Sequence, residues 1–92
     1  MPVYVYVIDI KNVRPRLVAE MTKKFKATVN NNNLLVKLED FDSQTEYVVK
    51  RQRHLKVGLA DISKGRLDII YSPSEVFSIK FDEMIRRVSD SE

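Results

Sequence analysis

The sequence predicts an α+β domain with a mainly antiparallel β-sheet and two helices, in the order β-α-β-β-β-β-β-α. Three observations predict this class. Residues 3–10 are almost all Val, Tyr and Ile, which favour strands. Residues 12–27 repeat apolar positions every three or four residues, as an amphipathic helix does. From residue 27 onward, short apolar segments alternate with Asn, Gly, Pro and Ser, which mark turns.

The first predicted strand, residues 3–10, would be apolar on both faces. A strand of this kind belongs in the middle of a sheet that is covered on both sides. We therefore expect it to be the central strand. Its two apolar faces are Val3, Val5 and Val7 on one side and Tyr4, Tyr6 and Ile8 on the other.

The segment "NVRPRLVAEMTKKFKA" predicts the first helix. Asn12 is the expected cap, and Pro15 fits only in the first turn, where its missing N–H costs nothing. Cations crowd the last turn, where they complement the helix dipole. The apolar stripe consists of Leu17, Val18, Met21 and Phe25, and the cations are Lys23, Lys24 and Lys26.

"KATVNNNNLLVKLED" predicts two strands joined by an asparagine turn. Asparagine tolerates left-handed backbone angles and bonds its own backbone, so the run at 30–33 suits a connector. Leu34, Val36 and Leu38 are expected to share one face of the second of these strands.

Residues 43–62 support two interpretations. The capping box "SQTE" at 43–46 predicts a helix from Gln44. The apolar residues that follow fall mostly on odd positions, which favours a long strand with a bend near 51–53. We adopt the strand for 44–57. If this segment is helical instead, the chain begins βαββα, as ferredoxin-like domains do.

The rest of the chain predicts strands separated by turns. Gly65 suits a hairpin turn that needs a left-handed residue. Residues 66–71 and 76–81 read as strands around a turn at 72–75. Asp82 then caps a short C-terminal helix, and residues 89–92 form a frayed polar tail. The 92 residues should make one domain, 1–92.

The composition narrows the class of protein. The chain has no cysteine, which excludes disulfides and thiolate metal sites and fits a reducing compartment. The apolar N-terminus lacks the basic region of a signal peptide, and no apolar run could span a bilayer. We expect a cytoplasmic protein that needs no cofactor or metal and does not bind membranes. The net charge of +3 is distributed in blocks, and residues 50–56 alone carry +4.

The basic stretch "KRQRHLK" is the strongest functional signal. Cations at strand spacing stand about 7 Å apart, near the spacing of phosphates along a nucleic-acid strand. The leading hypothesis is a non-enzymatic module that contacts DNA or RNA mostly through phosphates. The predicted nucleic-acid-binding residues are Lys50, Arg51, Arg53, His54 and Lys56, with support from Lys23, Lys24 and Lys26.

Two other functions remain open from the sequence. Free sheet edges and the two-sided first strand are also typical of a protein–protein adaptor or a homo-oligomer such as a homodimer. Carboxylates that follow two strands, Asp9 and the group Glu39, Asp40 and Asp42, could bind Mg²⁺ and cleave a phosphodiester if the strand ends met. The chain contains no P-loop and too little glycine for a phosphate-cradling loop.

Overall fold

The computed structural model of the protein describes residues 1–41 and 55–73, which form an antiparallel sheet with one α-helix and one short 3₁₀ helix. The α+β class is therefore confirmed. The predicted strand at 76–81, the predicted C-terminal helix and residues 44–54 of the ambiguous segment lie outside the described residues. The elements are β1 Tyr4–Asp9, α1 Pro15–Lys24, β2 Thr28–Asn30, β3 Asn33–Lys37, the 3₁₀ helix Leu38–Asp40, β4 Lys56–Asp61 and β5 Asp68–Tyr71.

The five strands lie in the order β2-β3-β1-β4-β5, and every neighbouring pair is antiparallel. The predicted central position of β1 is confirmed. It pairs with β3 from Val5–Lys37 to Asp9–Asn33 and with β4 as far as Asp9–Lys56. Because β1 and β2 both run antiparallel to β3, they are parallel to each other with β3 between them. This is a split β-α-β unit.

Both faces of the sheet are buried at its centre, as the two-sided pattern of β1 predicted. Val5 and Val7 lie on one face with Ala60, and Leu35, Ile62 and Leu67 pack against them. The other face carries the larger cluster, to which α1 contributes Met21 and Phe25 follows the helix. That cluster consists of Tyr6, Ile8, Met21, Phe25, Leu34, Val36, Leu55, Val57 and Leu59.

The helix begins later than Asn12 predicted. Its N-cap is Arg14, with φ −59° and ψ 135°, and Pro15 is the first helical residue. Proline disfavours helical angles at the residue before it, so Arg14 is held in an extended conformation and the helix starts at Pro15. The prediction that Asn12 caps the helix was therefore wrong, whereas the place of Pro15 in the first turn is confirmed.

Two predicted turns are confirmed by left-handed backbone angles. Asn31, in the turn between β2 and β3, has φ 54°, and Gly65, between β4 and β5, has φ 76°. The β4–β5 connection is held by two carboxylates. Asp61 Oδ1 accepts hydrogen bonds from the N–H groups of Val3 at 3.0 Å and Ser63 at 2.9 Å. Asp68 Oδ1 accepts a bond from Arg66 Nε at 2.8 Å.

These contacts shift two pKa values. The backbone N–H groups of Ser63 and Val3 lower the pKa of Asp61 because they stabilise its ionised form. The hydrogen bond to Asp68 raises the pKa of Arg66. Within residues 1–41 and 55–73, no helix could cross a bilayer, and α1 has only ten residues.

Candidate binding surfaces around helix α1

Three predicted site residues lie together at the C-terminal end of α1. Lys23 and Lys24 occupy the last turn, Phe25 is the C-cap, and Lys26 follows it. All three lysines are exposed. We call Lys23, Lys24 and Lys26 the lysine cluster. The helix therefore brings together the supporting residues of the predicted nucleic-acid site.

Lys26 adopts an unusual backbone conformation. Its φ of 53° is left-handed, and the Ala27 N–H donates to the Thr22 carbonyl at 3.0 Å. This hydrogen bond, which closes a turn of six residues, and the left-handed residue just after the C-cap together define a Schellman motif. Glycine is the usual residue at this position because a β-carbon there costs roughly 1–2 kcal/mol. A lysine occupies it here.

Acidic residues border the lysine cluster. Lys24 and Lys26 line a recess of about 220 Å³ together with Phe25, Glu39 and Asp40. Among residues 1–41 and 55–73 the single ion pair is Arg66–Asp68, so these lysines and carboxylates share a recess without pairing. The carboxylates offset part of the positive potential but leave the ammonium groups open to solvent.

Lys56 lies far from the lysine cluster. It faces Asp9 across the β1–β4 pair, at the end of the sheet where β1 finishes. Glu39 and Asp40 follow β3, whose last residue Lys37 pairs with Val5 at the opposite end. Asp9 and Val5 are four residues apart, about 13 Å along the strand. Lys56 also projects from the face that carries Val5 and Val7, away from α1.

The structure does not bring Lys56 together with the lysine cluster. The other predicted residues of the basic stretch, Lys50, Arg51, Arg53 and His54, lie outside the described residues.

The same strand directions separate the carboxylates of the Mg²⁺ hypothesis. Asp9 ends β1 at one end of the sheet, and Glu39 and Asp40 follow β3 at the other. The Asp9 Oδ1 accepts a hydrogen bond from the Lys11 N–H at 2.9 Å, which is a local turn contact. The described residues contain no group of three potential metal ligands, and Asp42 lies beyond them. The condition that the two strand ends meet is not fulfilled.

The sequence did not predict an apolar concavity beside α1. A groove of about 600 Å³ runs between α1 and β2, the outermost of the described strands on that side. Val29 of β2 borders it and is 52% exposed. Several lining residues recur on α1 at helical spacing, on a flank beside the stripe that contains Met21. This spacing is the sequence signal that could have indicated the groove. The groove is lined by Ile10, Val13, Pro15, Val18, Ala19, Thr22, Lys23 and Val29.

Comparisons of the chain with known protein families, with curated proteins and with solved structures found no match.

Proposed function

We propose that the protein is a small non-enzymatic binding module whose lysine cluster contacts the phosphates of nucleic acid. The observation that carries this proposal is the left-handed, exposed Lys26 at the end of α1. A residue held in a costly backbone conformation is a marker of function when a cheaper residue would serve the fold equally well. Here glycine would complete the same motif.

The helix dipole alone does not explain this lysine. Cations in the last turn complement the partial negative charge at the helix C-terminus. Lys23 and Lys24 already supply that charge. A third lysine in a left-handed position adds a donor that projects into solvent, where a phosphate oxygen can accept from it. Phosphate contacts of this kind release counterions and give affinity with little sequence preference.

The charge around α1 supports the same proposal. Between residues 11 and 26 the chain carries six cations and one carboxylate, and all seven side chains are exposed. The cations are Lys11, Arg14, Arg16, Lys23, Lys24 and Lys26, and the carboxylate is Glu20. Lys50, Arg51, Arg53 and His54, outside the described residues, remain predicted contacts, whereas Lys56 lies apart from the lysine cluster. DNA and RNA both remain candidate ligands.

The test is a fluorescence-anisotropy titration of DNA and RNA oligonucleotides at several salt concentrations. The Lys24→Gln, Lys26→Gln double variant should weaken binding to all sequences alike. The slope of log K against log salt is negative, and its magnitude should fall by about 0.9 for each phosphate of duplex DNA that the variant no longer neutralises. Glu39→Gln should strengthen binding, because it removes a carboxylate that borders the same recess.

Lys56→Gln is the matched control, because it removes one exposed lysine from the opposite end and face of the sheet. It should leave the affinity close to that of the native protein. If Lys56→Gln weakens binding and the double variant does not, the site belongs to the basic stretch and not to α1.

Protein recognition is the second candidate function. The groove beside β2 favours it, since β2 is the outermost strand in residues 1–41 and 55–73 and an apolar concavity next to such a strand is suited to a polypeptide.

A further inference from the structure

The groove between α1 and β2 differs from the lysine cluster in its chemistry and shares only Lys23 with it. Its walls are mostly aliphatic, and Lys23 is the only charged residue among those that line it within the described chain. Its volume of about 600 Å³ is within the range of ligand sites in proteins. Val29, Val18 and Ala19 line it, and Ala19 and Val29 are exposed.

Backbone groups of β2 are open beside the groove. Val29 lies opposite Leu34, next to the Asn30–Asn33 pair that flanks the two-residue turn. Bonded and non-bonded pairs alternate in an antiparallel ladder, and the pair flanking such a turn is bonded. The N–H and C=O of Val29 therefore point away from β3. No strand in residues 1–41 and 55–73 pairs with that side of β2.

We propose that this groove receives an extended acidic peptide that adds to the edge of β2 that no described strand covers and places apolar side chains against Val18, Ala19 and Val29. An extended segment is favoured because it can bond the open backbone groups of Val29, and its alternate side chains then enter the groove. The inference rests on the second candidate function, for which it names the class of partner, and does not depend on the proposed contact with nucleic acid.

The positive charge around the groove favours an acidic peptide as its ligand. Lys23 lines the groove, and Arg14 and Arg16 flank the lining residue Pro15. Acidic side chains on the outward face of a peptide complement these cations. A second copy of this chain would set like charges opposite each other, which is unfavourable. A single-stranded nucleic acid gains affinity by stacking its bases on aromatic rings, and none of the described lining residues is aromatic.

The probe is a short fluorescent peptide in which valine alternates with glutamate. Two matched peptides separate the contribution of charge from that of the apolar side chains. One alternates valine with lysine, and the other alternates serine with glutamate. Anisotropy titrations of the full chain should show binding of the Val/Glu peptide. The other two should bind at least roughly tenfold more weakly. Equal binding of the Val/Lys peptide, or no binding of the Val/Glu peptide, overturns the proposal.

Variants of exposed residues test where the peptide binds, because such substitutions do not disturb the buried core. Ala19→Glu places a carboxylate in the groove and should weaken binding of the Val/Glu peptide at least roughly tenfold. Glu20→Gln, at the next helical position and outside the lining, should leave it unchanged. The Lys24→Gln, Lys26→Gln double variant should retain peptide binding, which separates this site from the nucleic-acid surface.

Light scattering and nucleic-acid titrations of Ala19→Glu complete the test. If the native protein is a dimer that Ala19→Glu dissociates, the groove is an interface between copies and the proposal is wrong. It is equally wrong if Ala19→Glu abolishes nucleic-acid binding while the Val/Glu peptide fails to compete with the oligonucleotide. A monomeric native protein that retains its nucleic-acid affinity in Ala19→Glu agrees with the proposal.

Discussion

Gly58 in β4 lies directly against the backbone of Tyr71, where the chain leaves β5. A β-carbon on Gly58 would meet the Tyr71 carbonyl oxygen and would lie 2.8 Å from the backbone nitrogen of Pro73. Both obstacles are backbone atoms, so the chain must move to admit a methyl group. We expect Gly58→Ala to lower the free energy of unfolding by about 1–3 kcal/mol, as overpacking does. Urea unfolding measures this as a lower midpoint at constant slope.

Gly65 provides the contrasting control for Gly58. A β-carbon at Gly65 would meet nothing within 4 Å, but its φ of 76° is left-handed. Asparagine tolerates such angles, so Gly65→Asn should change the free energy of unfolding by about 0.5 kcal/mol or less. A Gly58→Ala protein as stable as Gly65→Asn would show that the β5 end is not packed against β4 as described.

The Asp61 carboxylate should make stability depend on pH. Its pKa is lowered in the folded state by the Ser63 and Val3 N–H groups, from an ordinary value of 3.8. The stabilisation is therefore present above pH 3.8 and is lost as pH falls through the folded pKa. Asp61→Asn should melt at a lower temperature than the native protein near neutral pH, and the difference should shrink below pH 3.8. Melting curves across this pH range measure it.

Glu20→Gln is the control for the Asp61 experiment. Glu20 is exposed on α1, and no hydrogen bond joins its carboxylate to another residue in the described part of the chain. Its replacement should leave the melting temperature nearly constant across the same pH range. A parallel loss in both variants would assign the effect to net charge and would contradict the role of the Asp61 hydrogen bonds.

Met21 should anchor α1 to the sheet. It is the only buried residue within Pro15–Lys24 and is 2% exposed. Met21→Ala should cost about 2–5 kcal/mol, because it removes most of the side chain and leaves a cavity under the helix. Met21→Leu conserves volume and should cost less than about 1.5 kcal/mol. Urea unfolding of both variants checks the order, and equal stability of the two would contradict the packing of α1.

Local patterns predicted most of the described elements because the causes of these elements are local. The two-sided apolar run placed β1 at the centre of the sheet, and Pro15 fixed the first turn of α1. Leu55, Val57 and Leu59 are buried, as their odd positions predicted, although β4 itself begins at Lys56. The cap was misplaced at Asn12 because the restriction that Pro15 imposes on Arg14 outweighs the preference of asparagine for caps.

The positions of the candidate sites depend on the order of the strands in the sheet, which local sequence patterns do not show. Lys56 and the lysine cluster lie at opposite ends because β1 pairs antiparallel with both β3 and β4. Asp9 is separated from Glu39 for the same reason. The groove borders β2, which is the outermost of the described strands and leaves Val29 exposed, whereas the strand pattern alone is compatible with a covered Val29. These relationships follow from long-range pairing that local patterns do not specify.

Lys26→Gly should change stability and nucleic-acid binding in opposite directions. Glycine relieves the left-handed strain at φ 53°, so the free energy of unfolding should rise by up to about 1 kcal/mol. The same change removes one exposed ammonium group from the lysine cluster, so affinity for an oligonucleotide should fall, with a smaller salt slope. Lys26→Asn, which also tolerates this conformation, should reduce affinity to the same extent. Urea unfolding and anisotropy titrations on the same preparations measure both effects. If both variants are more stable than the native protein and bind as tightly, Lys26 does not bind phosphate, because the strained lysine then contributes nothing to affinity.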